Sequence, residues 1–262
     1  MVNLHVGDKV YKLPETMNEM SKEQLLFLSK LVSKELPVQE IKVKMLFCCI
    51  GARARKMKNP GYYRILIGRR VVALTADQVT QFSLVFNYLF TEPDEQGRCF
   101  LDNRLTINHY PRIKVLGRRF YGPDEALTDI SYNQYIYLQT YDMMKDKNPA
   151  AIYAWLGCFF LRNKEKFNPK ELNLRHMRLI QADVVVLSIW FWIGSLRYIA
   201  DKFPRVFPEG TGEIGNPYDG QQRLLDYVAK ADPEKKRKYK QDTLYNILYS
   251  LDYLMEKDES NQ

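Results

Sequence analysis

The spacing of hydrophobic and polar residues changes several times along the chain, and each change marks an element. "NLHVGDKVYKLP", residues 3–14, alternates around Gly7-Asp8, which predicts a β-hairpin closed by a two-residue turn. From Ser21 the period becomes helical. Leu25, Leu28, Leu31 and Val32 share one face, Ser21 and Gln24 have capping-box spacing, and Pro37 stops the helix after about Glu35. A second helix is expected over about 39–56, a turn at "NPGYY", and a further hairpin around Gly68 in "YRILIGRRVVAL". Thr75 and Gln78 open a third helix, "TADQVTQFSLVFNYLF", and "TEPDEQG" reads as a loop.

The second half starts the same way. "RLTINHY" and "IKVLGRRFYGP" are strand-like around a glycine, and "DEALTD" leads to a helix opened by Ser131 and Gln134. Pro149 starts another helix, Asn168-Pro169 lies in a loop as a helix-starting pair, and "VVVLSIWFWIGSL", residues 184–196, is the most apolar run. Bounded by Asp183 and Arg197, that run is shorter than a membrane span, so a buried central helix is expected and no membrane partner. "RVFPEGTGEIGNPYDG" reads as a linker. A short helix over "QQRLLDYVAK" follows, then a final one started by Asp232-Pro233, with Leu244, Ile247, Leu248, Leu251, Leu254 and Met255 as its apolar stripe.

Sliding the chain by 110 positions aligns these two openings. Gly7 meets Gly117, Tyr11 meets Tyr121, Glu15 meets Glu125, Ser21 meets Ser131, Gln24 meets Gln134, Leu28 meets Leu138, Leu46 meets Leu156 and Cys48 meets Cys158. The matches fall on the turn, the cap and the core face, which predicts an internal duplication. The expected fold is therefore α+β and mostly helical. It has two related hairpin-plus-helices modules (1–100 and 101–206), a linker (207–220) and a helical C-terminal segment (221–262).

Composition adds two constraints. Forty-six per cent apolar residues, with 18 Tyr and 13 Phe, mean a folded core. Four cysteines without C-x-x-C spacing, and an N-terminus without a basic-then-apolar signal pattern, point to reduced thiols in a cytosol-like compartment. A net charge of +8 favours acidic partners.

Candidate chemistry is sparse. "GTGEIG", 210–215, has G-x-G-x-x-G spacing but follows a helix rather than a strand, so it reads as linker. His5, His109 and His176 lack ligand spacing, and no nucleophile elbow, P-loop, H-E-x-x-H or paired-carboxylate pattern is present; no enzyme, cofactor or metal is expected. Arg53, Arg55, Lys56, Lys58, Arg69 and Arg70, with Tyr62 and Tyr63 between them, could hold an anionic partner, and Arg118 and Arg119 repeat the "GRR" motif. The same residues equally describe soluble hairpin tips. Cations of "PEKKRKYK", 233–240, sit where a helix dipole disfavours them, which hints at an external anion. Two tyrosine sets, Tyr245/Tyr249/Tyr253 and Tyr135/Tyr137/Tyr141, could face protein partners or flank a core.

"LPETMNEMSKEQLLFLSKLV" resembles the opening of tail-assembly-chaperone-like proteins from phage and prophage tail gene clusters. Leu13, Pro14, Glu19, Ser21 and Gln24 fit that pattern, while Met17 stands where those proteins usually carry Trp. "LTDISYNQYIYLQTY", "KFPRVFP" and "TLYNILYSLDYLMEKDE" are similar to later parts of such proteins. The resemblance implies a non-enzymatic assembly or structural protein of a phage-type tail or virion, in the cytoplasm of a bacterial host or in the particle. It would contact tail-tube or tape-measure protein and self-associate through a helical region. Leu244, Tyr245, Leu248, Tyr249 and Tyr253 would form the capture segment. The alternative is a nucleic-acid-binding protein using the basic 53–70 region.

Overall fold

In the computed structural model, residues 1–6, 9–55, 62–67, 70–162, 167–208 and 217–260 are described. They form a mostly helical α+β chain divided into two units, Met1–Arg104 and Leu105–Gln262.

Unit 1 opens with the antiparallel pair β1 (Val2–Val6) and β2 (Lys9–Leu13). Ser21 then caps α1 (Lys22–Val32). Its hydroxyl accepts the Gln24 amide N–H, and its own N–H donates to Gln24 Oε1 at 2.8 Å. Such a cap is worth about 1 kcal/mol. The other end of Gln24 donates Nε2 to Cys49 Sγ at 3.3 Å, which ties the start of α1 to the end of α2 (Val38–Cys49). Leu25, Leu28 and Leu31 of α1 and Ile41, Met45 and Leu46 of α2 are buried in the core.

The second helix is shorter than its expected end at 56. Gly51 turns the chain with φ +62°, and Ala52–Arg55 pairs in register with Arg64–Ile67 as strand β3. With β4 (Tyr62–Ile67) and β5 (Arg70–Thr75) it makes a three-stranded antiparallel sheet in the order β3-β4-β5. Thr75 and Gln78 form a second reciprocal cap at the head of α3 (Ala76–Ser83), which tightens into a 3₁₀ turn over Leu84–Leu89.

Unit 2 begins with an irregular segment where "RLTINHY" was expected to be a strand. The hairpin β6 (Arg112–Val115) and β7 (Arg118–Tyr121) follows. Its turn residues Leu116 and Gly117 both have left-handed φ, +48° and +79°, which suits the twist of a two-residue hairpin. Ser131 caps α4 (Tyr132–Met144), which packs against α5 (Ala151–Phe159). After the short α6 (Leu174–Met177) comes α7 (Ala182–Lys202), a helix long and apolar enough to cross a membrane by composition. Val184, Leu187, Phe191, Trp192 and Ile199 of α7 are buried in the unit. Tyr135, Trp155, Phe159, Phe191 and Trp192 form its aromatic core; Trp155 stacks on Phe159 at 4.9 Å and meets Trp192 edge-on at 6.2 Å. Gly194 of α7 lies directly against the Leu105 backbone.

The C-terminal residues, read as a helical segment after a linker, contribute to this core. Leu225 of α8 (Pro217–Ala229) and Leu244, Ile247, Leu248 and Leu251 of α10 (Leu244–Ser260) are buried, and Tyr132 donates its hydroxyl to Gln221 Oε1 at 2.5 Å. The single final helix expected from Asp232 is two. Asp232 caps α9 (Pro233–Gln241), and the chain then leaves helix at Asp242-Thr243 to pair with the start of α4. Tyr132 N–H donates to Asp242 O, and Leu244 N–H donates to Ile130 O, both at 2.9 Å.

The two openings share an element order: hairpin, 3₁₀ turn (Met17–Glu19, Glu125–Leu127), serine-capped helix, second helix. The capping serines are 110 apart, yet the strand pairs next to the turns, Val6 with Lys9 and Val115 with Arg118, are 109 apart. One extra residue separates hairpin from cap in unit 2, so the ungapped alignment slips across the hairpin. The second cap is also one-sided: Ser131 accepts from Gln134 N–H, while Gln134 Nε2 is turned to Cys158 O at 2.7 Å. In both units this glutamine joins the first helix to the second. Beyond α2 and α5 the units differ, a sheet in one and five further helices in the other among the described residues.

Candidate functional site

Where α7 ends against α10, unit 2 gathers four aromatic rings around one cation. Lys202 Nζ lies 5.1 Å from the Tyr245 ring, 5.3 Å from Tyr249, 5.8 Å from Phe203 and 6.0 Å from Tyr198. Phe203 meets Tyr249 edge-on at 5.0 Å and Tyr245 at 6.0 Å. A hydrogen bond with Tyr249 holds the Lys202 ammonium above the usual lysine range. Arg205 reaches Asp252, Glu256 and Glu259 of α10 at 3.6, 3.6 and 3.4 Å and fixes the helix beside this cluster.

The cluster has a buried floor and an exposed face. Tyr245 is the floor: 9% exposed, it donates its hydroxyl to Ala126 O at 3.0 Å, and burial pushes that hydroxyl up to about 12. Ala126 and Leu127 have φ of +50° and +63°, so this contact fastens a strained turn. Tyr198, Tyr249 and Tyr253 are 44%, 53% and 64% exposed. Exposed rings held in place by a cation offer contact area at small entropic cost, the chemistry of a protein-contact surface.

Of the tyrosine positions read from sequence, only part lies on a surface. Leu244, Tyr245 and Leu248 belong to the core, because α10 packs on α8 and α4; Tyr249 and Tyr253 face outward. Tyr135 is buried and accepts from Gln139 Nε2 at 2.6 Å. Tyr137 is half-buried among Tyr141, Phe167 and Tyr218, and Tyr141 is half-buried beside it. The reason is the position of α4, which has α5, α8, α9 and α10 around it and so no continuous free stripe. Tyr198 and Lys202 escaped the sequence reading because they sit just past the apolar run; their four-residue spacing was the available signal.

The basic residues separate into three places. Arg53 and Arg64 are exposed on the outer face of the β3–β5 sheet, with Arg55 opposite Arg64 in register. Lys56, Lys58 and Arg69, and the side chains of Arg55 and Arg70, lie outside the described residues. Arg118 and Arg119 are exposed on β7 in the other unit. On α9 the conflict with the helix dipole is met inside the chain, by Lys236 with Asp226 at 2.6 Å and Lys235 with Asp232 at 3.7 Å.

A cleft of about 1090 Å3 is lined by Ser131 and Asn133 of α4, Arg162, Asn173 and Lys240. Glu171, also on its wall, accepts from Asn168 Nδ2 at 2.7 Å. Burial and the neighbouring Lys236 hold the Lys240 amine below its ordinary value. Among the described residues no group of three or more His, Cys, Asp or Glu is placed to hold a metal ion, and the His176 ring packs against Phe120 at 5.4 Å. All four cysteines are free; burial, reinforced by Cys48, pushes the Cys49 thiol up to about 12, and burial raises that of Cys158 as well. "GTGEIG" lies outside the described residues. No protein-family model, curated protein or solved structure matches the chain.

Proposed function

We propose that this chain is a non-enzymatic assembly or structural protein of a phage-type tail or particle. It acts by holding another protein, tail-tube or tape-measure protein, against the Tyr198–Tyr249–Tyr253 face. One observation carries the reading: two exposed tyrosines, Tyr198 and Tyr249, held around Lys202 over a buried ring that is itself bonded to the core, with exposed Tyr253 one turn further along α10. Aromatic anchors of this kind dominate protein–protein contacts. Their preorganisation by Lys202 lowers the cost of ordering side chains on binding. The setting in a tail or particle comes from the resemblance of the residue 13–32 segment to tail-assembly-chaperone-like proteins.

The test is co-expression with the tail-tube and tape-measure proteins encoded in the same genome, followed by affinity purification. Co-purification is expected, and Tyr249→Ala/Tyr253→Ala abolishes it with the melting temperature kept. Tyr245 is left intact, because its removal damages the core. Failure of both proteins to co-purify with the unaltered chain would overturn the proposal.

A further inference from the structure

The hairpin of unit 2 carries a charge pattern that its fold does not require. Ile113, Val115 and Phe120 point inward and are buried, while Arg112, Lys114, Arg118 and Arg119 are exposed. Lys114 stands directly opposite Arg119 in the strand register. Like charges in that position repel and weaken a two-stranded pair. Among the described residues none of the four cations is within ion-pair distance of a carboxylate. Arg112 instead lies over the Tyr121 ring at 5.1 Å, which keeps its guanidinium on the outer face.

The chain supplies its own comparison. The hairpin of unit 1 has the same two-strand form and leads into the same capped helix, with its strand pairs 109 positions earlier. At the places of Arg112, Lys114, Arg119 and Tyr121 it has Asn3, His5, Val10 and Lys12. The pairing of His5 with Val10 replaces the pairing of Lys114 with Arg119. The strands of unit 1 thus pair with one cation, Lys12, on that face where unit 2 has three, and Lys9 stands at the place of Arg118; the concentration of charge on the outer face of one copy calls for a partner outside the chain.

From this geometry we infer that the outer face of β6–β7 is a docking site for the phosphate backbone of duplex DNA. Two of the three outer-face cations, Arg112 and Arg119, are arginines, whose forked donors match phosphate oxygens; Arg118 pairs with Val115 at the end of the hairpin and belongs to the other face. A two-stranded ribbon is of a size that enters the major groove. The face is almost purely charged, with Leu116 at the tip its one large exposed apolar side chain. A protein partner would need an apolar centre there, whereas DNA interfaces are built on positive charge. This site is separate from the tyrosine face and does not rest on the assembly role proposed above.

The test uses the full chain and a short fluorescein-labelled DNA duplex, followed by fluorescence anisotropy across a salt series starting at about 50 mM. Lys114→Gln/Arg119→Gln is compared with Lys30→Gln/Lys34→Gln, which removes the same charge from unit 1. The ribbon variant is expected to bind about tenfold or more weaker at low salt, with the salt slope reduced by about 0.9 for each phosphate it no longer neutralises. The control is expected to stay near the unaltered chain, and circular dichroism of both variants to stay unchanged. Absence of binding at low salt, or equal weakening in ribbon variant and control, overturns the inference. So does poly-L-glutamate that binds as tightly as the duplex, which would assign the face to an acidic protein.

Discussion

Gly194→Ala places one methyl group where α7 meets the start of unit 2. A Cβ there would lie 2.3 Å from Leu105 O, 2.4 Å from Leu105 N and 2.8 Å from Leu105 C. Ordinary contact begins at 3.4 Å, so helix and segment must part by about 1 Å. The obstacle is backbone, which cannot rotate aside, and Leu105 is fully buried. Overpacking costs about 1–3 kcal/mol, and a backbone obstacle puts this case at about 3 kcal/mol; the alanine regains up to about 1 kcal/mol of helix propensity, leaving about 2 kcal/mol of net destabilisation. In a unit of this size that is a fall of about 4–8 °C in melting temperature. Gly220→Ala in α8 is the matched control, since nothing lies within 4 Å of its Cβ position. There only the propensity term acts, and the melting temperature should rise by about 2–4 °C. Thermal melts followed by circular dichroism compare the two. If Gly194→Ala melts at or above the unaltered chain, α7 does not rest on the Leu105 backbone and the packing described for this end of the unit is wrong.

Other expectations follow from single contacts. Tyr245→Phe strips the donor from Ala126 O at a buried position and should cost about 1–3 kcal/mol in urea unfolding, while Tyr249→Phe should cost nothing measurable. Gln134→Leu keeps bulk but leaves the Cys158 carbonyl unpaired, and should destabilise by about 1–3 kcal/mol; an unchanged midpoint would dismiss this link between α4 and α5. The raised Cys49 thiol gives a pH dependence. Its unfolded form ionises near the ordinary value of 9.0 and its folded form only near 12, so the stability it contributes is complete below about pH 9 and is lost as pH rises towards 12. Melts between about pH 8 and about pH 11 should show a decline that Cys49→Ala flattens, and a decline of equal slope in that variant would contradict the assignment. Lys202→Ala leaves Tyr249 and Tyr253 in place but loosens the rings, and should weaken partner capture by less than the double tyrosine variant, measured in the same co-purification.

Local chemistry was legible in the sequence and long-range chemistry was not. Ser21, Thr75 and Asp232 cap the helices their spacing announces, because a cap is settled by the next three residues. "ARAR" at 52–55 was read as the end of a helix, since it lacks β-branched residues; pairing with Arg64–Ile67 makes it a strand. The break at Asp242-Thr243 has no proline or glycine to signal it and comes from a pairing with residues over a hundred positions away. For the candidate surfaces, tyrosine type and spacing located α10, but could not tell the buried Tyr245 from the exposed Tyr249. Ring and hydroxyl satisfy a core as well as a partner once Ala126 O is within reach. Arg112 and Lys114 were missed because strand alternation spaces them apart, and only consecutive cations stand out in a linear reading.

The pairing of Asp242-Thr243 with the head of α4 sets a timetable for synthesis. Unit 1 is compact within the first 104 residues, so it can fold while the ribosome is still making the rest. Unit 2 cannot. The backbone partners of Ile130 and Tyr132 arrive only with residues 242–244, and Leu244, Ile247, Leu248 and Leu251 fill its core last. Until then the aromatic surfaces of α4, α5 and α7 remain uncovered, and for that interval the nascent chain is at its most prone to aggregate or to be caught by a holding chaperone.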